Sequence, residues 1–158
     1  LNKGKEFTTV SKEVEHAREY LSIQKMLYED RFDLEIEVQE DIREYKVIKL
    51  IIHPLVENSL VHGLEDMDER GLIRIEVFKV NERIAFRVLD NGKGIPGLAE
   101  RGLQSIIDGG YGLKNLQERL RLYFHKDFTM DCRSIPAIET VFEITVPAMI
   151  SEGDEASV

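Results

Sequence analysis

The sequence predicts an α+β sandwich, a largely antiparallel sheet with helices on one face. Three observations carry that expectation. "LIRIEVFKV" and "RIAFRVLD" each alternate apolar and polar residues, and only Asn81-Glu82 separates them. That is the pattern of an antiparallel hairpin. "FTMDC" and "TVFEITVP" repeat the strand signal near the C-terminus. Between and before these runs, apolar residues recur at helical spacing.

The elements follow in order. Residues 11–29 read as one helix, with Ser11 as its cap and Glu13 and Glu15 in a first turn that favours negative charge. Val14, Ala17, Leu21 and Tyr28 form one apolar stripe on an otherwise charged rod. That stripe fits a helix packed on its own domain, or one entering from an upstream dimerisation region. In "DLEIEVQ", Leu34, Ile36 and Val38 alternate with Glu35 and Glu37, a half-buried strand. A helix follows from Pro54, which is tolerated only in a first turn, to about Gly63. In the hairpin, Ile73, Ile75 and Val77 share a face with Ile84, Phe86 and Val88. Residues 92–112 are glycine-rich and read as a loop. "LKNLQERLRLYF" is helical, with Leu113, Leu116, Leu120 and Tyr123 on one face. In the last strand Phe142, Ile144 and Val146 point inward. "SEGDEASV" reads as a disordered acidic tail.

Composition bounds the function. The chain has 158 residues, 42% of them apolar, enough for one domain with a core. A net charge of -9 argues against nucleic acid or an anionic membrane surface as partner. The single cysteine, Cys132, leaves no internal disulfide framework and fits a small core residue in a reducing compartment. No apolar run approaches the ~18 residues that would span a bilayer. The chain begins at Leu1 rather than Met, which reads as a piece of something longer.

One stretch conflicts with a simple core helix. In "HPLVENSLVHG", Leu55, Val56, Leu60 and Val61 call for burial, yet Glu57, Asn58 and His62 sit among them. A buried amide or carboxylate is costly unless something pairs with it. A second anomaly is "LDNGKGIPG", where Gly92, Gly94 and Gly97 match the dinucleotide fingerprint only superficially. The preceding strand belongs to an antiparallel hairpin, and Pro96-Gly97 prevents a clean helix start, so the βαβ context is missing. A different chemistry fits. Asp90 ends a strand and can accept a hydrogen bond from an exocyclic amino group. Glycines after it let backbone press against a flat ring. Gly109-Gly110-Tyr111-Gly112 then precedes a helix, whose N-terminal amides favour phosphate.

The segments holding Asn58 in "LVENSLVHG", "DNGKGI" and "GYGLKNLQERL" resemble, in order, the three nucleotide-binding boxes of the Bergerat-fold ATPases. Within them, "HPLVENSLVHGL" followed by "GLKNLQERL" is similar to the LytS-type sensor histidine kinases, and the likeness runs over residues 8–147. The upstream "SKEVEHAREYLSIQKMLYEDRF" resembles the segment that links their phosphoacceptor region to the ATP-binding domain.

The resemblance implies a Bergerat-type two-layer sandwich with a mixed, mostly antiparallel sheet. It implies a linking helix in residues 1–30, an ATP-binding catalytic domain in 31–150 and a tail in 151–158. It implies ATP and Mg²⁺ as cofactors. Asn58 would ligate the metal, which needs few protein oxygens. Asp90, helped by Thr140, would read adenine. Gly92, Gly94 and Ile95 would form the turn beneath the base. Gly110, Gly112, Leu113 and Lys114 would line the phosphate end, with His62 beside Asn58. The implied partners are an upstream histidine-bearing dimerisation region and a response regulator. The implied setting is the cytoplasmic part of a membrane-bound homodimer.

The sequence departs from the family at two places. Val61 stands where a lysine or arginine is frequent, and Glu139 precedes Thr140 where glycine is usual. Pro54 occupies the place of the water-orienting carboxylate of the hydrolysing branch, which favours a kinase over a hydrolase. Glu57, about 100° away on the helix, is a candidate for assisting proton transfer or for a structural ion pair. None of His16, His53, His62 or His125 sits in the Pro-His-Phe acceptor motif of the resembled family. Lys114, Arg101 and Arg119 are candidate phosphate contacts. Two other readings stay open: a serine kinase of the same fold acting on an anti-sigma antagonist, and a nucleotide-sensing module without turnover.

Overall fold

A computed structural model describes residues 6–64 and 67–150. Phe7–Thr9 (β1) leads into Val10–Leu27 (α1), Phe32–Val38 (β2), a short 3-10 turn, Lys46–Ile48 (β3) and His53–Asn58 (α2). Gly71–Val80 (β4) and Arg83–Asp90 (β5) form the expected hairpin. Leu98–Arg101 (α3), Leu103–Gly109 (α4) and Tyr111–Phe124 (α5) follow, then Thr129–Ile135 (β6) and Glu139–Pro147 (β7). The acidic tail expected at 151–158 lies outside the described residues.

Five strands form one sheet in the order β2-β4-β5-β7-β6. Only β2 with β4 is parallel. The alternating residues do what alternation predicts. Ile73, Ile75, Val77, Ile84, Phe86, Val88, Phe142, Ile144 and Val146 are all buried in one core. The opposite face is charged and paired across strands: Arg87 reaches Glu143 at 2.8 Å and Glu76 at 3.3 Å. A strand with one face in the core and one in water reads this way in sequence. Burying a Val, Ile or Phe side chain contributes roughly 1.5–3 kcal/mol, so these nine positions set the register. A one-residue slip would turn all of them to water.

Helix α1 lies against this core, with Val10, Val14, Ala17 and Leu21 buried. Thr9, not Ser11, is its cap: the Thr9 hydroxyl accepts from the Lys12 N–H at 3.2 Å, because the helix starts two residues earlier than a Ser11 cap implies. Glu13 is not a solvated first-turn acid but is only 3% exposed. Helix α5 buries Leu113, Leu116 and Leu120 as expected. The glycine-rich segment is not simply a loop, since it contains α3 and α4. Gly97 and Gly102, at φ of +78° and +80°, break it into two short helices. Such conformations are open to glycine at little steric cost. The small β1–β3 sheet was not expected either.

Candidate nucleotide site

The site begins where β5 ends. Asp90 continues the inward series Ile84, Phe86, Val88, so the pleat turns its carboxylate towards the helices. It is 2% exposed. In the ladder Asp90 lies opposite Ile73 on one side and Thr140 on the other, and Thr140 lies opposite Ser134. Asp90, Thr140 and Ser134 thus form one polar row across three strands at the end of an apolar core. The Gly92 N–H donates to Asp90 Oδ1 at 2.9 Å. The Ser134 and Thr140 hydroxyls are 2.9 Å apart, and Ser134 Oγ accepts from the Ile95 N–H at 3.1 Å.

Burial pushes the Asp90 carboxyl above its ordinary value, and the Gly92 N–H and Ser59 hydroxyl only partly offset this. The groups that lower it are an amide and a hydroxyl; no cation contributes among the described residues. Burial, with the charge of Asp90 adding to it, pushes the Cys132 thiol up to about 12. A thiol so placed stays protonated, as expected of a core residue.

The other wall is the "HPLVENSLVHG" segment. Ile52 and Pro54 open α2, with the proline in the first turn as anticipated. From Ser59 to Leu64 the helix widens into a π-turn, which the sequence reading missed. This turn carries Gly63 onto Asp90. A Cβ on Gly63 would lie 2.6 Å from Asp90 Oδ1, and one on Gly92 would lie 2.0 Å from the Gly63 carbonyl oxygen. The Lys93 N–H donates to that same carbonyl at 2.9 Å. Gly94, at φ +86°, sits where a Cβ would come within 2.7 Å of Ser134 Oγ. Gly63, Ser59 and Ser134 are therefore parts of the site that sequence reasoning did not single out. The readable signal was Gly63 itself, a glycine inside a helical pattern.

Asn58 and His62 line a cleft of about 250 Å³ with Ile95, Arg101, Gly110 and Leu113. A smaller adjoining cleft, about 150 Å³, is lined by Pro54, Glu57, Asn58, Val61, His62, Gly110, Tyr111, Gly112 and Leu113. Two of the three boxes thus meet across open space, with Ile95 of the third at its edge. Asp90, Gly92, Gly94 and Thr140 line neither cleft; they are packed behind it. Lys114 lines neither cleft and is exposed on α5.

The remaining candidates separate. Glu57 Oε1 pairs with His53 Nε2 at 2.6 Å, the ion-pair alternative. Arg119 donates to the Lys49 and Leu50 carbonyls at 2.6 and 2.9 Å and so holds a loop. Arg101 lies at the cleft and folds across Gly97. Among the described residues no three His, Cys, Asp or Glu side chains gather to hold a metal. The available donor is the half-buried Asn58 carboxamide, which suits Mg²⁺, an ion that keeps water and phosphate as its other ligands.

The same architecture occurs in solved structures. The chain superimposes on the catalytic domain of histidine kinase ThkA with a TM-score of 0.65 at 16% identity, covering 89% of this chain and 94% of that one. For the mycobacterial sensor histidine kinase MprB the TM-score is 0.63 at 15% identity, covering 92% and 99%. At these identities the likeness shows the fold. Sequence relatives carry more. Sensor histidine kinase YesM of Bacillus subtilis is 30% identical over 147 residues, 93% of this chain and 25% of its own. Sensor protein LytS of Oceanobacillus iheyensis is 31% identical over 116 residues, 69% of this chain and 20% of its own. The chain is related in sequence to the sensor histidine kinases. It spans about a quarter of the length of these relatives. No family model matches it. Among the described residues no helix is long and apolar enough to cross a membrane.

Proposed function

We propose that this chain is the catalytic module of a sensor histidine kinase. It would bind Mg·ATP and direct the γ-phosphoryl group to a histidine in an upstream dimerisation region of the same or a partner subunit. One observation carries the reading. A buried carboxylate with no cation beside it among the described residues, Asp90, stands behind a cleft whose far wall is the N-terminus of a helix. A carboxylate so buried is expensive to keep. An exocyclic amino group, as in adenine, would supply the missing donor.

The chain's residues divide the work. Asp90 and Thr140 read the base, and reaching them takes a shift of the Ile95–Pro96 segment that lines the cleft. Gly92 and Gly94 bring backbone close beneath the ring. The first amides of α5, from Tyr111 to Leu113, have no carbonyl one turn before them and face the cleft, which suits phosphate. Asn58 would hold Mg²⁺, with His62 and Arg101 beside the phosphates. The metal, when bound, neutralises charge on the phosphates. The bond from the γ-phosphorus to its bridging oxygen breaks as the acceptor nitrogen bonds to phosphorus, and positioning supplies most of the catalysis. Pro54 offers no base for water, so hydrolysis is slow.

On this reading residues 1–30 carry the linking helix, residues 31–150 the ATP-binding domain and residues 151–158 a tail. A response regulator takes the phosphoryl group later. The whole protein is a membrane-bound homodimer with this part in the cytoplasm.

Labelled γ-phosphate tests it. The expected result is bound nucleotide, an unlabelled chain and very slow phosphate release. Adding a protein that carries the upstream histidine region gives acid-labile label on that partner. Label on this chain alone would misplace the acceptor, with His16 the first residue to mutate. Rapid phosphate release without label would make the chain a hydrolase.

A further inference from the structure

Helix α1 touches the nucleotide-site helix through side chains that no packing requirement explains. Glu13 is 3% exposed, yet it points at backbone rather than water. Its carboxylate accepts from the N–H groups of Leu50, Ile51 and Ile52 at 2.8, 3.1 and 3.3 Å. These are the residues that lead into α2, and Ile52 is its cap position. Ile52 has no side chain that can cap, so a neighbouring helix supplies the negative group that the first turn favours.

The loop it holds is strained. Leu50 has φ +59°, a left-handed conformation that side chains rarely adopt. Its N–H is taken by Glu13 and its carbonyl by Arg119 of α5, so the conformation is fixed from both sides. One helical turn further along α1, His16 lies 5.7 Å from the His53 ring, and Tyr20 meets that ring edge-on at 4.4 Å. His53 in turn donates to Glu57, the neighbour of Asn58. The other ring nitrogen of His53, Nδ1, is buried and has no hydrogen-bond partner among the described residues. The ring is thus held by Glu57 and by α1. Glu13, His16 and Tyr20 fall at i, i+3 and i+7, one stripe of a helix.

We propose that α1 sets the position of Asn58, through Glu13 on the 50–52 backbone and Tyr20 on His53, so that Glu13 is a positioning residue for the metal end of the nucleotide site. The proposal rests on the Mg·ATP reading given above. The coupling is graded: Asp90 is also held by the Gly92 N–H, which lies on neither α1 nor α2, although its other partner, Ser59, directly follows Asn58. Displacing α1 moves the Asn58 end of the site more than the base end.

The test compares ATP affinity with and without Mg²⁺, by calorimetry on the 158-residue chain. Glu13→Gln removes the charge and buries an amide N–H₂ where only donors surround it. It weakens Mg·ATP binding about ten-fold and metal-free ATP binding less than about two-fold. Tyr20→Leu, at a half-buried position, acts in the same direction by about three-fold. A purely structural Glu13 gives the opposite pattern: a lower melting temperature with an unchanged ratio of the two affinities. If Glu13→Gln does not fold, Tyr20→Leu decides alone, and an unmoved ratio overturns the proposal. A wild type that binds no ATP defeats the nucleotide reading and this proposal together. A wild type that binds, with the ratio unmoved in the variants, defeats this proposal only.

Discussion

The two ends of the site are built on different principles. The Asp90 end is closed: a row of polar side chains on three strands, stapled by backbone donors from Gly92, Lys93 and Ile95. Its glycines are required by contact distance. The Asn58 end is open: a cleft between a π-turn and the start of α5, walled by short helices that glycines separate. Its glycines meet nothing close, since a Cβ on Gly110 or Gly112 would find its nearest atoms at 3.8 and 3.7 Å. The end that would read the base is closely packed and is reached only past Ile95–Pro96, and the end that would hold the transferred group is already open. Specificity needs a fixed donor and acceptor pattern, whereas product must leave past the phosphate end.

The contrast can be broken, and the largest effect is steric. Gly92→Ala drives a Cβ into the Gly63 carbonyl, a backbone atom that cannot swing away. Overpacking of this kind costs about 1–3 kcal/mol, and a clash with backbone falls at the upper end, so thermal melting should fall by several degrees. A variant that melts like the wild type would show that the closed end is not closed.

The next effect separates binding from stability. Asp90→Asn weakens ATP binding about ten-fold or more, because a charge-assisted hydrogen bond contributes roughly 1.5–3 kcal/mol. Its stability moves the other way. Burial raises the Asp90 carboxyl, so the folded state holds that proton more tightly than the unfolded chain. Stability from this group is therefore full below its ordinary value of 3.8 and is lost as pH rises through the raised value. The variant lacks this loss. Melting curves across pH should show wild type losing ground to Asp90→Asn from the acidic range upward. A constant difference at every pH would remove burial as the cause.

At the open end, Asn58→Ala should reduce the melting shift given by Mg·ATP more than that given by ATP alone. Equal shifts in variant and wild type, with and without Mg²⁺, would defeat the metal role. The smallest stability effect sharpens the comparison. Gly110→Ala and Gly112→Ala should leave the melting temperature almost unchanged, within about 0.5 kcal/mol. Any loss should appear in ATP affinity, if the bound loop needs conformations that only glycine adopts. A stability loss matching that of Gly92→Ala would erase the distinction between the two ends.

Much of this was legible because residue types reported burial directly. Alternation in β4, β5 and β7 named the core residues before any coordinates did, and Asn58, Asp90 and Gly110 stood out as polar or flexible groups in apolar contexts. What escaped has physical reasons. Alternation is the same for parallel and antiparallel pairing, so the β2–β4 direction was invisible in "DLEIEVQ". Strands of three residues, as in β1 and β3, carry too little pattern. Helices α3 and α4 are one or two turns long and hidden among glycines, where propensity points to loop. The π-turn at Ser59–Leu64 changes which residues share a face without changing composition, and that change places Gly63 on Asp90. Glu13 read only as a first-turn acid of its own helix because its partners, the amides of residues 50–52, lie far away in sequence.

The central claim is that Asp90 lies in an adenine-reading pocket served by Asn58 and a metal. Calorimetric titration of Mg·ATP into the wild type and Asp90→Asn, with Mg·GTP as the comparison nucleotide, tests it most directly. The account predicts saturable binding of Mg·ATP, far weaker binding of Mg·GTP, whose base places a carbonyl where adenine has its amino group, and loss of that preference in Asp90→Asn. No binding of Mg·ATP by the wild type, or equal affinity for the two nucleotides, would contradict it.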